Sequence, residues 1–191
     1  MTPQQTADLL RSAGALLEGH FGLSSGLHSS GYVQCALVLQ HPASAAALGE
    51  ALAGRARSWQ AEVVLAPALG GIVIGHEVAR ALGVRSLFAE RVNGQLVLRR
   101  GFTVSPGERV LVAEDVLTTG TSTRETIDVA RRAGADVVGT VAIVDRGSGG
   151  AAFELPFEAL LTRSYPAYAA DACPLCTAGV PLVKPGSRPD P

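Results

Sequence analysis

The residues best equipped for chemistry lie between Val110 and Ser122. Val110-Leu111-Val112-Ala113 reads as a buried strand that delivers two adjacent carboxylates, Glu114 and Asp115. Val116 and Leu117 follow, then Thr118-Thr119-Gly120-Thr121-Ser122, small and hydroxyl-rich around one glycine, where a helical pattern begins. The free N–H groups of a helix start carry roughly half a unit of positive charge and suit a phosphate. Gly120 lets the backbone approach a ligand closely, and the hydroxyls of Thr118, Thr119, Thr121 and Ser122 can donate to phosphate oxygens. Glu114 and Asp115 cannot serve a phosphate directly. They can accept hydrogen bonds from sugar hydroxyls, or hold Mg²⁺ through water. One loop would thus bind both a sugar and its phosphate. A Gly-Thr-Ser helix start alone reads as an ordinary βα turn, with Ser122 and Glu125 as a capping box. The whole run is far more specific, and it is neither a Walker loop nor a dinucleotide Gly-x-Gly-x-x-Gly.

Two further segments carry reactive types. Glu90 to Gly101 holds Arg91, Arg99 and Arg100 around Asn93-Gly94, a strong hairpin-turn signal; Arg99-Arg100 reads equally as a solvated charge pair. Cys173-Pro174-Leu175-Cys176 has the spacing of half a zinc site. A second Cys pair is missing, and the histidines at 20, 28, 41 and 76 are distant in sequence. Two such pairs could meet across a dimer, but packed or free thiols are the favoured reading. His28 and His41 are expected at the surface, and His76 on a helix, packed or exposed.

Positioning these groups requires a layered fold. Thr2-Pro3-Gln4-Gln5 reads as a helix start, with Leu9, Ala13, Leu16 and Leu17 at helical spacing and Gly19 as its end. After a Gly- and Ser-rich stretch, a β segment is expected from Tyr32 to Leu39. Pro42 opens a second helix with Ala45, Leu48, Leu52 and Trp59 on one face. Strands are then expected at Val63–Leu65, Ser86–Phe88, Val110–Ala113 and Val137–Val144. Helices alternate with them, from Gly70-Gly71 to Leu82 and from about Ser122 to Ala133. Buried strands alternating with helices imply a mostly parallel sheet flanked by helices. In such sheets ligands bind beyond the carboxyl ends of the strands, which singles out the loops 66–71 and 114–122.

Composition narrows the classes. The 191 residues suffice for one ordinary domain, expected over 1–183, and the last eight, Lys184 to Pro191 with three prolines, are expected as a mobile tail. A 47% hydrophobic share supplies a core. Sixteen basic against 17 acidic residues, net −1, argue against a nucleic-acid partner. All the basic residues but Lys184 are Arg, which suits planar recognition of phosphate or carboxylate. No apolar run approaches the ~20 residues that span a bilayer, and no signal-peptide pattern is seen. The expected compartment is the cytoplasm.

The segment Glu114–Ser122 resembles the 5-phosphoribosyl-1-pyrophosphate (PRPP) signature of type I phosphoribosyltransferases. More of the chain resembles the orotate branch of that family: Gly14-Ala15-Leu16-Leu17-Glu18-Gly19-His20-Phe21, Ser25-Gly26 with Ser29, Ala66 to Gly71, Phe88-Ala89-Glu90-Arg91, Ala142 to Arg146, and Cys173 to Cys176. The resemblance implies an α/β fold with a small hood and a flexible β-hairpin loop. It implies transfer of phosphoribose from PRPP to N1 of orotate with Mg²⁺, in a homodimer whose sites are shared between subunits. Residues 114–122, Val116 and Leu117 included, would hold the ribose 5-phosphate, with Glu114 and Asp115 on the sugar hydroxyls. Any water-mediated hold on Mg²⁺ would fall to Asp115, the ion resting mainly on PRPP. Ala68, Leu69, Gly70 and Gly71 would face pyrophosphate, and Arg91 would cover PRPP from a neighbouring subunit. Orotate would meet Thr118, Ser25, Gly26 and Tyr32, with Arg146 forking its carboxylate. The plainer reading of Arg146 is a surface pair with Asp145. The chain departs from better-known members at Gly70 and Ser24, where those carry Lys, and lacks their Lys-x-His loop pattern, so no catalytic acid is assigned. The alternatives are a purine phosphoribosyltransferase, which needs no cation at 146, and a non-catalytic sensor on the same fold.

Overall fold

The computed structural model describes residues 1–23, 25–147 and 153–185; the expected tail beyond Pro185, and Ser24, lie outside them. Helix α1 spans Pro3–Ser12 with the expected capping box: Gln5 N donates to Thr2 Oγ1 at 3.2 Å and Thr2 N to Gln5 Oε1 at 2.8 Å. It does not continue to Gly19. Gly14 adopts φ +69°, a conformation that ends a helix, and Leu16–Gly22 forms strand β1, paired antiparallel with β2, His28–Val33. The expected strand 32–39 is likewise corrected: Tyr32 and Val33 close β2, and Ala36–Leu39 is a one-turn helix, α2. Pairing between β1 and β2 overrides the helical spacing of Leu16 and Leu17. With β9, Ala167–Tyr168, these strands make a three-stranded sheet, β1-β2-β9, which is the hood.

The main sheet has the order β5-β4-β3-β6-β7-β8. Its strands are β3 Val63–Pro67, β4 Arg85–Val92, β5 Gln95–Leu98, β6 Arg109–Leu117, β7 Asp136–Asp145 and β8 Phe157–Thr162. All pairs are parallel except β4–β5, the hairpin turned at Asn93 and Gly94 with φ of 49° and 83°. β8 and β9 carry no expectation above. Helices α3, Pro42–Ala56, and α4, Gly71–Leu82, cover one face with α1, while α5, Thr121–Arg132, covers the other. β6 shows why both faces are apolar: Leu111 and Ala113 point into the first core, Val110 and Val112 into the second. Trp59 is not on the face of α3 but in the turn after it, with its ring against Gly139.

Candidate active site

The carboxyl ends of β3, β6 and β7 converge. β6 runs four residues past the expected end at Ala113, so Glu114 and Asp115 are still paired in the sheet, Glu114 opposite Ala142. Glu114 is buried and accepts from Thr123 Oγ1 at 3.3 Å. Burial, then the neighbouring Asp115, pushes its carboxyl well above the usual range. Asp115 is raised too, by burial, but Val116 N–H, donating to its Oδ1 at 2.8 Å, opposes the shift. Burial thus raises both carboxyls, Glu114 the more strongly, while Val116 N–H supports the ionised form at Asp115.

Gly120 adopts φ +73° and a Cβ there would stand 2.9 Å from the Phe153 ring, so only glycine fits the turn. Helix α5 begins at Thr121 with no side-chain cap. The expected Ser122–Glu125 capping box does not form, because Gly120 takes the cap position and Glu125 instead receives a hydrogen bond from Arg91. The first-turn N–H groups of α5 thus face the loop without a capping side chain. Thr118 and Thr119 are exposed, and Thr119 and Thr121 share a hydroxyl–hydroxyl hydrogen bond of 3.0 Å. Arg124 donates to the Thr119 carbonyl at 2.6 Å and lies over the Phe153 ring. Its guanidinium stands at the loop the sequence reading furnished only with hydroxyls, and Arg at the fourth position of α5 was the available signal.

The 66–71 loop joins the acidic pair. Ala68 N donates to Ala89 O at 2.8 Å, which ties the loop to β4, and the Ala68–Leu69 peptide is cis. A Cβ on Gly70 would stand 2.7 Å from Asp115 Oδ2. The loop thus lies directly on the Asp115 carboxylate.

Arg146 leaves β7 with its N–H donating to Leu117 O at 2.8 Å. Its half-buried guanidinium donates to Ser29 Oγ at 3.3 Å and Gly31 O at 3.4 Å and stacks on Tyr165, 5.2 Å from the ring centre. Among the described residues it pairs with no carboxylate, so the surface pair with Asp145 is not what forms. Tyr32 lies where both charges reach it: burial raises its phenol, the Asp115 carboxylate adds to the rise and Arg146 opposes it. Ser29, Gly31 and Tyr165 were not singled out as site residues; they reach Arg146 from 117, 115 and 19 positions away. Ser25 and Gly26 sit exposed in the β1–β2 turn.

Arg91 donates to Gly94 O and to Glu125 of its own chain. Arg99 and Arg100 pair with Glu90, and Arg100 lies over Phe88. His76 and His41 are exposed. His28, expected at the surface, is buried, and with His20 it meets Cys173 and Cys176. The favoured packed-or-free reading of the thiols missed these partners because the hood brings them from some 150 residues away.

A parallel sheet whose strand ends gather an acidic pair, an uncapped helix start, a glycine turn and a guanidinium that no carboxylate of the described residues neutralises is the architecture of a nucleotide-forming transferase. Residues 36–154 match the phosphoribosyl transferase domain. The orotate phosphoribosyltransferase of Pelotomaculum thermopropionicum is 52% identical over 188 residues, 98% of this chain and 99% of that one. Among solved structures, orotate phosphoribosyltransferase from Aeropyrum pernix is similar at 29% identity and TM-score 0.67, covering 82% of this chain and 92% of that one. The Mycobacterium tuberculosis H37Rv orotate phosphoribosyltransferase in complex with PRPP aligns at 25% identity and TM-score 0.66, covering 83% and 94%. The chain belongs to the phosphoribosyltransferase family, in its orotate phosphoribosyltransferase branch.

Proposed function

We propose that this chain transfers the phosphoribosyl group of PRPP to N1 of orotate, forming orotidine 5′-monophosphate and pyrophosphate in pyrimidine biosynthesis. The observation that carries the choice of base is Arg146: a half-buried guanidinium at the end of β7 that no carboxylate of the described residues neutralises. A purine carries no carboxylate to neutralise it, whereas the orotate carboxylate fits its fork.

The residues divide the work. The hydroxyls of Thr118, Thr119, Thr121 and Ser122 and the N–H groups opening α5 take the 5-phosphate. Glu114 and Asp115 take the ribose hydroxyls. As the C1–O bond to pyrophosphate breaks, its electron pair leaves with the pyrophosphate and the ribose gains positive charge. The Asp115 carboxylate, held in place by Val116 N–H, stabilises that charge without reorganising. Orotate N1 then bonds to C1 and gives up its proton. Loop 68–71 faces the pyrophosphate. Arg146, fixed by Ser29 and stacked on Tyr165, holds the base in line.

Mg²⁺ fits this donor set: Asp115 offers a hard carboxylate oxygen against Gly70, where no side chain intervenes. When bound with PRPP, the ion supplies charge neutralisation to the leaving group. We also infer a homodimer in the cytoplasm, in which Arg91 on the β4–β5 hairpin exchanges Glu125 for PRPP in the neighbouring subunit. Following orotate loss by absorbance, with uracil, adenine and hypoxanthine as competing bases, tests the reaction: turnover of orotate alone is expected, and turnover of a purine alone overturns it. Mixing Arg91→Ala and Asp115→Asn chains under subunit exchange tests the shared site. Hybrids should regain activity, and no gain over the separate variants rejects sharing.

A further inference from the structure

On the hood, away from the site just described, four ligand atoms point at one another. His20, from β1, is 2% exposed, His28, from β2, 9%, and Cys173 2%; Cys176 is exposed. His20 Nε2 lies 2.9 Å from His28 Nδ1, 3.5 Å from Cys173 Sγ and 3.8 Å from Cys176 Sγ. Cys176 Sγ lies 3.3 Å from His28 Nδ1, and all four atoms fall within 4.8 Å of one another. A tetrahedral zinc ion has ligand–ligand edges of roughly 3.3 Å between nitrogens, roughly 3.6 Å between nitrogen and sulfur and roughly 3.8 Å between sulfurs. The nitrogen–sulfur edges of 3.5, 3.8 and 3.3 Å lie near that value, the two ring nitrogens would part by roughly 0.4 Å, and the remaining two edges, from Cys173 Sγ, stay within 4.8 Å.

We propose that His20, His28, Cys173 and Cys176 bind a zinc ion that clips the C-terminal segment to the hood. The tautomer of His20 agrees. Its Nδ1 lies 2.8 Å from the Val180 carbonyl, which can only accept, so that nitrogen carries the proton and Nε2 turns a lone pair to the cluster. A carbonyl that orients a ligating imidazole in this way is the usual outer support of a zinc site. Cys173 and Cys176 stand three apart around one helical turn, α6, Pro174–Thr177, which aims both sulfurs the same way. Two thiols and two imidazoles in a closed tetrahedron select zinc among the common divalent ions. All four positions are filled by protein, so the site is structural rather than catalytic. Binding displaces the two thiol protons to solvent and changes no oxidation state.

The clip has a defined span. Past the cluster the chain returns alongside β1, with Val183 N donating to His20 O at 2.8 Å and Gly22 N to Val183 O at 2.9 Å. His28 stands next to Ser29, the residue that receives the Arg146 hydrogen bond. With His20 Nδ1 at the Val180 carbonyl and Gln34 Nε2 donating to Pro185 O at 3.3 Å, these bonds follow the cluster directly, so an ion there would anchor the whole return of the segment.

The test uses the full chain, purified without an affinity tag, with metal content read by mass spectrometry. About one zinc per chain is expected, falling at least tenfold in Cys173→Ser/Cys176→Ser and in His20→Ala. A zinc content unchanged in those variants overturns the assignment. Should they prove insoluble, wild-type protein stripped with a chelator and loaded with Co²⁺ decides. Thiolate-to-cobalt charge transfer and the strong visible bands of a tetrahedral ion are expected, with two thiols lost to a thiol reagent. A spectrum without thiolate charge transfer, stoichiometric iron with inorganic sulfide, or a Cys173–Cys176 disulfide in freshly isolated protein each overturns it.

Discussion

The β6–α5 loop and the hood both face the same strand ends, yet they are built in opposite ways. Everything the loop offers lies between Glu114 and Arg124, a strand end, a turn and a helix start, so its geometry follows from local rules. The hood assembles its side of the site from β1, β2 and β9, and holds Arg146 through Ser29 and Gly31, which stand 117 and 115 positions away. In the proposed function the loop takes the part of the substrate common to every phosphoribosyl transfer, a phosphate and a sugar, and the hood takes the base. A fold that keeps the shared chemistry local and makes the choice of base depend on a remote sheet can change specificity without disturbing the reaction.

If that division is right, damage to the loop should strike turnover and damage to the hood should strike base binding. Asp115→Asn should lower kcat by about a hundredfold or more, because negative charge is lost beside the developing cation, with folding intact. Near wild-type turnover in steady-state kinetics would remove Asp115 from its role. Arg146→Ala should raise KM for orotate by roughly 10- to 150-fold, the worth of hydrogen bonds to a charged group, and leave KM for PRPP nearly unchanged. It should also lose most of the preference for orotate over uracil, and Arg146→Lys should restore only part. A variant that loses PRPP and spares orotate would move Arg146 to the phosphate side of the comparison. Gly70→Ala puts a Cβ where the Asp115 carboxylate lies and should cost about tenfold in kcat by displacing it. Ser29→Ala removes one support of Arg146 and should raise KM for orotate by about fivefold, with kcat unmoved.

What could be read from the residues alone follows the same line. The parallel sheet, α4, α5, the hairpin at Asn93-Gly94 and the loop 114–122 were legible because strand alternation, caps and turn residues act over a few positions. The hood was not. Leu16 and Leu17 fit a helix as well as a strand, and only pairing with Tyr32 and Val33 decides between them. β8 and β9 escaped for the same reason, and with them went the burial of His28. The Ser122–Glu125 pattern was a correct local signal outvoted by Gly120 and by Arg91 reaching from another strand. Arg146 was found as a residue, but that no carboxylate of the described residues pairs with it, the property that gives it a role, is a tertiary fact.

The smallest expected effect on activity belongs to Glu114→Gln, and it probes the loop's own electrostatics. Burial and Asp115 raise Glu114 well above its ordinary value of 4.5, so the folded chain holds a proton that the unfolded chain releases. Stability from such a group is fully present below 4.5 and is lost as pH rises toward the folded value. Each unit of rise costs about 1.4 kcal/mol once the pH exceeds it. Glutamine is neutral at every pH, can still donate toward Asp115, and adds no such slope. Urea unfolding of ligand-free protein should therefore give similar midpoints for the two chains below 4.5, then a widening advantage for Glu114→Gln as pH climbs above it. Asp115 is raised in the same direction in both proteins, so the difference between the curves belongs to Glu114. Because glutamine keeps a hydrogen-bonding group of the same shape there, kcat should fall by less than about fivefold, the worth of one altered hydrogen bond to a ribose hydroxyl. Parallel stability curves would mean that burial and Asp115 do not raise Glu114 in the fold.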